Sequence, residues 1–157
     1  MVKRPGYLCF LRRYRIKRLK MFNVRVYGIM INDKNQILVS DEYILGKYYT
    51  KFPGGGMEKG EGTRDCLKRE IKEEMNLEVE IGEHLYTTDF YQQSAFNPDD
   101  QIISIYYFFR PAEPILFHLT HSPLDFTEEQ LKVYKETLKI ETFRFIDLKD
   151  FTEEEVT

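Results

Sequence analysis

The segment that most constrains this chain is Phe52-Pro53-Gly54-Gly55-Gly56, followed by a run of good helix formers from Thr63 to Met75. Proline fixes φ, and consecutive glycines remove the side chains that keep a backbone at a distance. The segment therefore reads as an irregular turn able to press bare N–H and C=O groups against a ligand. Thr63 reads as the N-cap of the helix, and Asn76 tolerates the left-handed conformation that commonly ends one. At about 100° per residue, Glu70, Glu73 and Glu74 share an arc of roughly 100°, and Leu67, Ile71 and Met75 form the adjacent apolar stripe. The apolar stripe packs, and the other gathers like charges, each pair of which costs about 0.2–0.5 kcal/mol on a solvated helix. A hard divalent cation would reverse that cost, since Mg²⁺ and Mn²⁺ prefer carboxylate oxygens. Taken alone, the helix fits a solvated acidic face equally well.

The turn and the helix together narrow the reading. From Gly55 the chain runs five residues to Glu61 and seven more to Arg69-Glu70-Ile71. One residue further come Glu73-Glu74, then one residue, Asn76 and Leu77. This pattern resembles the signature of the Nudix hydrolases, departing from it at Asn76, where the family has Gly. The resemblance implies an α/β (α+β) fold, an α/β/α sandwich around a mixed β-sheet. It also implies metal-assisted hydrolysis of the diphosphate bond in a nucleoside diphosphate linked to another group, with Mg²⁺ or Mn²⁺ as cofactor. By the same resemblance Glu70, Glu73, Glu74 and the Gly54 carbonyl hold the metal, and Arg69 pairs with Glu61 to brace the turn against the helix. The base that activates water is a carboxylate of the signature or a later Glu, for which Glu128 and Glu129 are the candidates. Gly54 and Gly55 in the turn, Lys51 just before it and Arg25 on an early strand are candidates for contacting the substrate. A non-catalytic relative that binds a nucleotide or sugar-phosphate ligand is the alternative, and the three intact carboxylates argue against it.

Residues 1–20 carry eight basic side chains and no acidic one, which leaves the rest of the chain with a net charge of −11. We expect a basic N-terminal arm over 1–20, either disordered or preceding the true start at Met21, and a single hydrolase domain over 21–157. The acidic remainder opposes a nucleic-acid backbone, so contact with one would fall to the arm alone. The short apolar patch Tyr7–Leu11 is too brief for a signal-peptide core or a membrane span. Cys9 and Cys66 form no metal-binding or disulfide pattern, which fits a reducing cytoplasm, and Cys66 reads as a packing residue. His84, His118 and His121 share no ligand spacing and are assigned no role. No serine nucleophile elbow is present.

Along the chain, Phe22–Ile31 alternates as a strand, and turn residues 32–35 lead to an apolar 36–39, which reads as a hairpin. Arg25 and Tyr27 lie on the first of these strands. Tyr43, Tyr48 and Tyr49 precede the glycine turn, as do Lys47 and Lys51, each able to meet a phosphate as a point charge. Glu78–Tyr91 is strand-like but broken by Gly82. Gln101–Phe109, apolar on both faces, reads as a central buried strand with Ile115–Leu119 beside it. Thr127 and Gln130 suggest a capped helix, Glu141–Ile146 a last strand, and Thr152–Val156 the first turn of another helix. That unfinished helix leaves one sheet face short of cover, so we expect a homodimer.

Overall fold

The computed structural model of the protein describes residues 21–152. The basic arm, with Cys9, falls outside that range, as does nearly all of the helix expected from Thr152. The described chain runs β1 (Phe22–Ile29), β2 (Gln36–Ile44), β3 (Lys47–Lys51), β4 (Gly54–Gly56), α1 (Thr63–Met75), β5 (Val79–Thr87) and β6 (Gln92–Gln93). It continues with β7 (Gln101–Pro111), β8 (Leu119–Thr120), α2 (Glu128–Thr137) and β9 (Lys139–Asp147). This is the mixed α+β architecture expected, with the strands divided between two sheets, ordered β4-β1-β7-β5 (β6 also pairing β7) and β3-β2-β9-β8.

That division changes the expected hairpin. β1 and β2 lie in different sheets and meet at a single antiparallel bridge, Ile31 to Ile37. β1 pairs in parallel with β7 over its whole length, Phe22 opposite Gln101 and Ile29 opposite Phe108, whereas β2 pairs antiparallel with β9. Period-two alternation marks β1 as a strand but carries no information about its partner. β7 is central as expected, although much of it is half-buried. Ile115–Phe117 forms no strand, and β8 joins β9 in the other sheet. The break at Gly82 is a register shift between Ile81 and His84 in the β5–β7 ladder.

The glycine run is a short strand rather than an irregular turn. Arg25, Val26 and Tyr27 face Gly56, Gly55 and Gly54 across an antiparallel ladder. Glycine is required there by proximity. Gly54 has φ +128°, and a Cβ on it would lie 2.2 Å from the Val26 carbonyl oxygen.

The main core is the apolar stripe of α1 against the first sheet, joined by Leu38 of β2 and Phe143 of β9 from the second. Cys66, Leu67 and Ile71 are fully buried and pack with Val26, Leu38, Tyr107 and Phe109. The helix begins one residue earlier than expected, on an extended Gly62 that caps without a side chain. Thr63 instead shares a 2.8 Å hydrogen bond with the Tyr107 hydroxyl. Asn76 closes the helix in the left-handed conformation, φ 51°. α2 lies on β9 and opens with a complete capping box: the Thr127 hydroxyl accepts from the Gln130 N–H, and the Gln130 side chain accepts from the Thr127 N–H. Thr127→Ala should therefore lower stability by about 1 kcal/mol, read as a drop in melting temperature. An unchanged melting point would mean that β9 alone holds α2. Among the described residues no helix is long and apolar enough to cross a membrane.

Candidate active site

The glycine strand β4 and helix α1 meet face to face, and the contact is built on missing side chains. A Cβ on Gly55 would lie 2.4 Å from the Glu70 carboxylate, so the bare backbone is what admits that group. Arg69 holds the arrangement. Its Nε and Nη2 donate to Glu61 at 3.0 and 2.7 Å, its Nη2 also donates to the Gly56 carbonyl at 3.0 Å, and its Nη1 reaches Glu70 at 2.9 Å. The expected Arg69–Glu61 brace is thus present in two-pronged form, the geometry that a planar guanidinium supplies and an ammonium does not. Arg69 and a backbone N–H together hold the Glu61 carboxyl down at about 2. A depressed carboxylate contributes stability that is present above its ordinary value of 4.5 and lost as pH falls through about 2, so this brace survives mild acid.

The three signature carboxylates have different surroundings. Glu70 sits under Gly55. The Glu73 side chain is 59% exposed and pairs with Arg69 across one helical turn at 3.2 Å. The Glu74 side chain is only 7% exposed, 3.7 Å from Lys51 Nζ and 3.4 Å from the Gly54 N–H. Lys51, a candidate for meeting a phosphate, donates to the Gly54 carbonyl at 2.7 Å and pairs with Glu42 at 3.1 Å.

Glu74 leads to two residues that sequence reasoning missed. Carboxylate oxygens of Glu42, Glu74 and Glu141 all lie within 4.8 Å of one another. β2 and β9 bring two of them together, since Glu42 is directly opposite Glu141 in their ladder. Lys51 reaches Glu42 and Glu74, and Lys139 reaches Glu42 at 3.5 Å, so two ammonium groups serve three carboxylates. Burial pushes Glu74 up to about 8; Lys51 works against the shift and Glu141 adds to it. Burial likewise raises Glu141, against Lys139 and with Glu42. Glu42 Oε1 is buried and, despite Lys51 nearby, accepts no well-aligned hydrogen bond among the described residues. Like charges crowded in a dry site with too few counter-ions are what a hard cation relieves. The donor set is all oxygen: the Gly54 carbonyl and these carboxylates. It fits Mg²⁺ or Mn²⁺ and offers nothing to a soft metal.

Glu128 and Glu129 stand outside this group, exposed on the first turn of α2. Their helix is tied to it through Gln130, whose side chain donates to the Glu141 carbonyl at 2.8 Å. Cys66 is fully buried and its thiol is pushed up to about 12, mainly by burial, consistent with packing rather than reactivity. Tyr43 and Tyr48 stack on each other, and Tyr43 on Tyr134 of α2, which places them at the far end of β2. Lys47 is exposed at the start of β3.

Comparisons with known proteins bear on the fold and the family. The profile of the NUDIX domain matches residues 21–154. Among solved structures, the E. coli ORF135 protein aligns with TM-score 0.52 at 20% identity, over 63% of this chain and 69% of that one. A UDP-X diphosphatase aligns with TM-score 0.58 at 14% identity, over 92% of this chain and 61% of that one. An ADP-ribose pyrophosphatase from Streptococcus suis aligns with TM-score 0.50 at 17% identity, over 82% and 76%. At such identities the likeness speaks for the fold. A comparison with curated proteins finds no match. With the signature spaced as it is, the glycine strand seated on its acidic helix and the domain profile covering all the described residues, the chain belongs to the Nudix family of hydrolases.

Proposed function

We propose that this Nudix hydrolase cleaves the diphosphate bond of a nucleoside diphosphate linked to another group, with Mg²⁺ or Mn²⁺ held by the Gly54 carbonyl, Glu70, Glu73 and Glu74. The observation that carries the reading is the convergence of Gly54 and Glu74 in a buried site with more carboxylate than ammonium. The cation, when bound, neutralises phosphate oxygens and stabilises the charge that develops on them. The remaining work falls to the chain. Arg69 fixes Glu70 and, through Glu61 and the Gly56 carbonyl, fixes the strand that presents Gly54. Lys51 and Lys139 hold Glu42 and Glu141 behind Glu74. Water attacks one phosphorus, its oxygen forms the new P–O bond, and the bridging oxygen departs with the other phosphate. The proton from water passes to a carboxylate of the signature or to Glu128 or Glu129. The products are two phosphate monoesters, one of them a nucleoside monophosphate. Two proteins of like fold, by name a UDP-X diphosphatase and an ADP-ribose pyrophosphatase, lend support to this substrate class.

The test is a screen of nucleotide sugars, dinucleoside polyphosphates and nucleoside triphosphates with Mg²⁺ or Mn²⁺. For the proposed class, inorganic phosphate should appear after a phosphatase is added, and none should appear with chelator. Ligand-induced stabilisation without phosphate release from any compound would favour the binding-module reading.

A further inference from the structure

Among the described residues, five other than glycine hold the left-handed conformation: Asn35, Leu45, Asn76, Leu124 and Leu138. Asparagine is a usual occupant of such positions, since its short polar side chain can hydrogen-bond locally. Leucine is not, because its Cβ crowds the neighbouring carbonyl and its side chain makes no polar contact in return. Leu124 is half-buried, but Leu45 and Leu138 are 63% and 48% exposed, so little packing within the chain offsets their strain. Both lie at one end of the second sheet. Leu45 and Gly46, with φ 49° and 80°, form the two-residue turn between β2 and β3, where Asn-Gly is the low-strain pair. Leu138 closes α2 just before β9, at a position where glycine is usual.

A stitched frame holds these two leucines next to each other. The Leu45 N–H donates to the Leu138 carbonyl at 3.0 Å, and the Gly46 N–H donates to the Tyr134 hydroxyl at 2.7 Å. Tyr43 stacks on Tyr48 with ring centres 4.4 Å apart and on Tyr134 at 4.0 Å, which ties the β2–β3 hairpin to α2. Tyr48 is 56% exposed. The turn stands clear of the rest of the protein, since a Cβ on Gly46 would meet no atom within 4 Å. A protruding apolar tip needs a partner that gives way around it, as a fluid lipid interface does, and tyrosine suits the boundary between apolar and wet layers. The local charge points the same way. Residues 44–48 and 134–139 carry Lys47, Lys135 and Lys139 against Glu136, so the tip is positive although the chain beyond residue 20 carries −11. Lys139 also reaches Glu42, whereas Lys47 and Lys135 are exposed and have no ion-pair partner among the described residues.

We propose that this tip docks on an anionic lipid surface, with Leu45 and Leu138 entering the apolar layer, Tyr48 at its boundary, and Lys47 and Lys135 against the headgroup phosphates. The contact is peripheral. The rest of the surface, acidic on balance, is repelled by the same lipid, which turns the tip toward it. Docking of this kind requires neither metal nor turnover, so it stands or falls apart from the hydrolase reading.

The test is flotation of the full chain with vesicles of phosphatidylcholine, alone or mixed with phosphatidylglycerol, at low salt and at about 1 M salt, where charges are screened beyond roughly 3 Å. The wild type should bind, with a preference for the anionic vesicles at low salt. The basic residues 1–20 would also draw the chain to anionic lipid, so the deciding comparison is with Leu45→Asn/Leu138→Asn at high salt. That double variant should partition more weakly by roughly 10-fold or more, the effect of withdrawing two leucines from an apolar layer. Its melting temperature should equal or exceed that of the wild type, because asparagine relieves the left-handed strain. Lys47→Gln and Lys135→Gln should each reduce the low-salt preference for anionic vesicles by about 5-fold. A double variant that partitions like the wild type overturns the proposal, as does an unchanged preference in both lysine variants. A lower melting temperature in the double variant does so too, since the leucines would then offset their strain within the monomer. A wild type that binds neither vesicle overturns it in favour of a pocket on a partner protein.

Discussion

Replacing Glu74 by Gln is expected to lower turnover by about 10²–10³-fold, the usual effect of removing one stabiliser of transition-state charge, while making the metal-free protein more stable in mild alkali. Both effects come from one carboxylate in a dry site. In the unfolded chain its carboxyl titrates near 4.5, whereas burial in the fold pushes it up to about 8. Between those values the folded state keeps a proton that the unfolded state has released. Stability is therefore fully present below the unfolded value and falls as pH rises through the folded one. Glutamine resembles the protonated acid in shape and carries no charge at any pH, so the variant lacks that loss. In chelator above about pH 8 it should exceed the wild type by about 1–4 kcal/mol, and near pH 4 the two should agree. Saturating Mg²⁺ should reverse the ranking, because a ligand that binds only the folded state stabilises it by about 2.7 kcal/mol at a hundred times its dissociation constant. The measurements are melting curves across pH with and without Mg²⁺, together with steady-state rates. A Glu74→Gln protein with wild-type turnover and the wild-type response to Mg²⁺ would remove Glu74 from the metal site.

The contrast with Glu73 shows where sequence reasoning reaches its limit. Helical spacing put Glu70, Glu73 and Glu74 on one arc, and they do share a side of α1. Spacing cannot rank them by burial, because that depends on which strand ends abut the helix. Glu73 faces water and Arg69, so its charge is paired and its removal relieves no crowding. Glu74 points at Lys51 and at the strand pair β2–β9. Local features were legible in the residues themselves: the left-handed Asn76, the Thr127 capping box and the apolar stripe of α1, whereas the brace between Arg69 and Glu61 was expected only from the family resemblance. Each is decided within a few residues by propensity or side-chain reach. Partners set by distant pairing were not legible. Glu141 carries no local mark of its role and becomes part of the site because β9 pairs with β2 in a register that sets it opposite Glu42. Glu42 did leave a signal. Asp41-Glu42 interrupts the apolar run 37–44, and two adjacent acids inside a buried strand ask for partners on both faces. The glycine run misled for a related reason, since low strand propensity is overridden where a neighbouring strand and helix approach too closely for any Cβ.

Those two acids point to opposite faces of β2, and the inner one should be the larger determinant of folding. Asp41 is fully buried and accepts from Arg144 Nε at 2.7 Å, from the Thr50 hydroxyl at 2.7 Å and from the Leu124 N–H at 3.0 Å. One carboxylate thus ties β2 to β3, to β9 and to the loop before α2. The register it pins matters for the site, because a slip of one residue would turn Glu42 and Lys51 away from Glu74. Removing one member of a buried ion pair typically costs about 3–5 kcal/mol, far more than the pair contributes over an apolar replacement. Asp41→Ala should therefore lower the melting temperature by roughly 6–20 °C for a chain of this size. Asp41→Leu combined with Arg144→Met should recover part of that loss, since neither charge then remains in the interior while the Thr50 hydroxyl and the Leu124 N–H still lose their acceptor. Turnover decides what Asp41 does for the site. If it acts by fixing register, the double variant should hydrolyse substrate at close to the wild-type rate once folded, because Glu42, Glu74, Glu141 and Lys51 keep their places. A double variant that melts like the wild type yet is inactive would mean that Asp41 shapes the site directly. A loss below about 1 kcal/mol in Asp41→Ala would mean that the buried pair holds nothing the surrounding strands do not already hold.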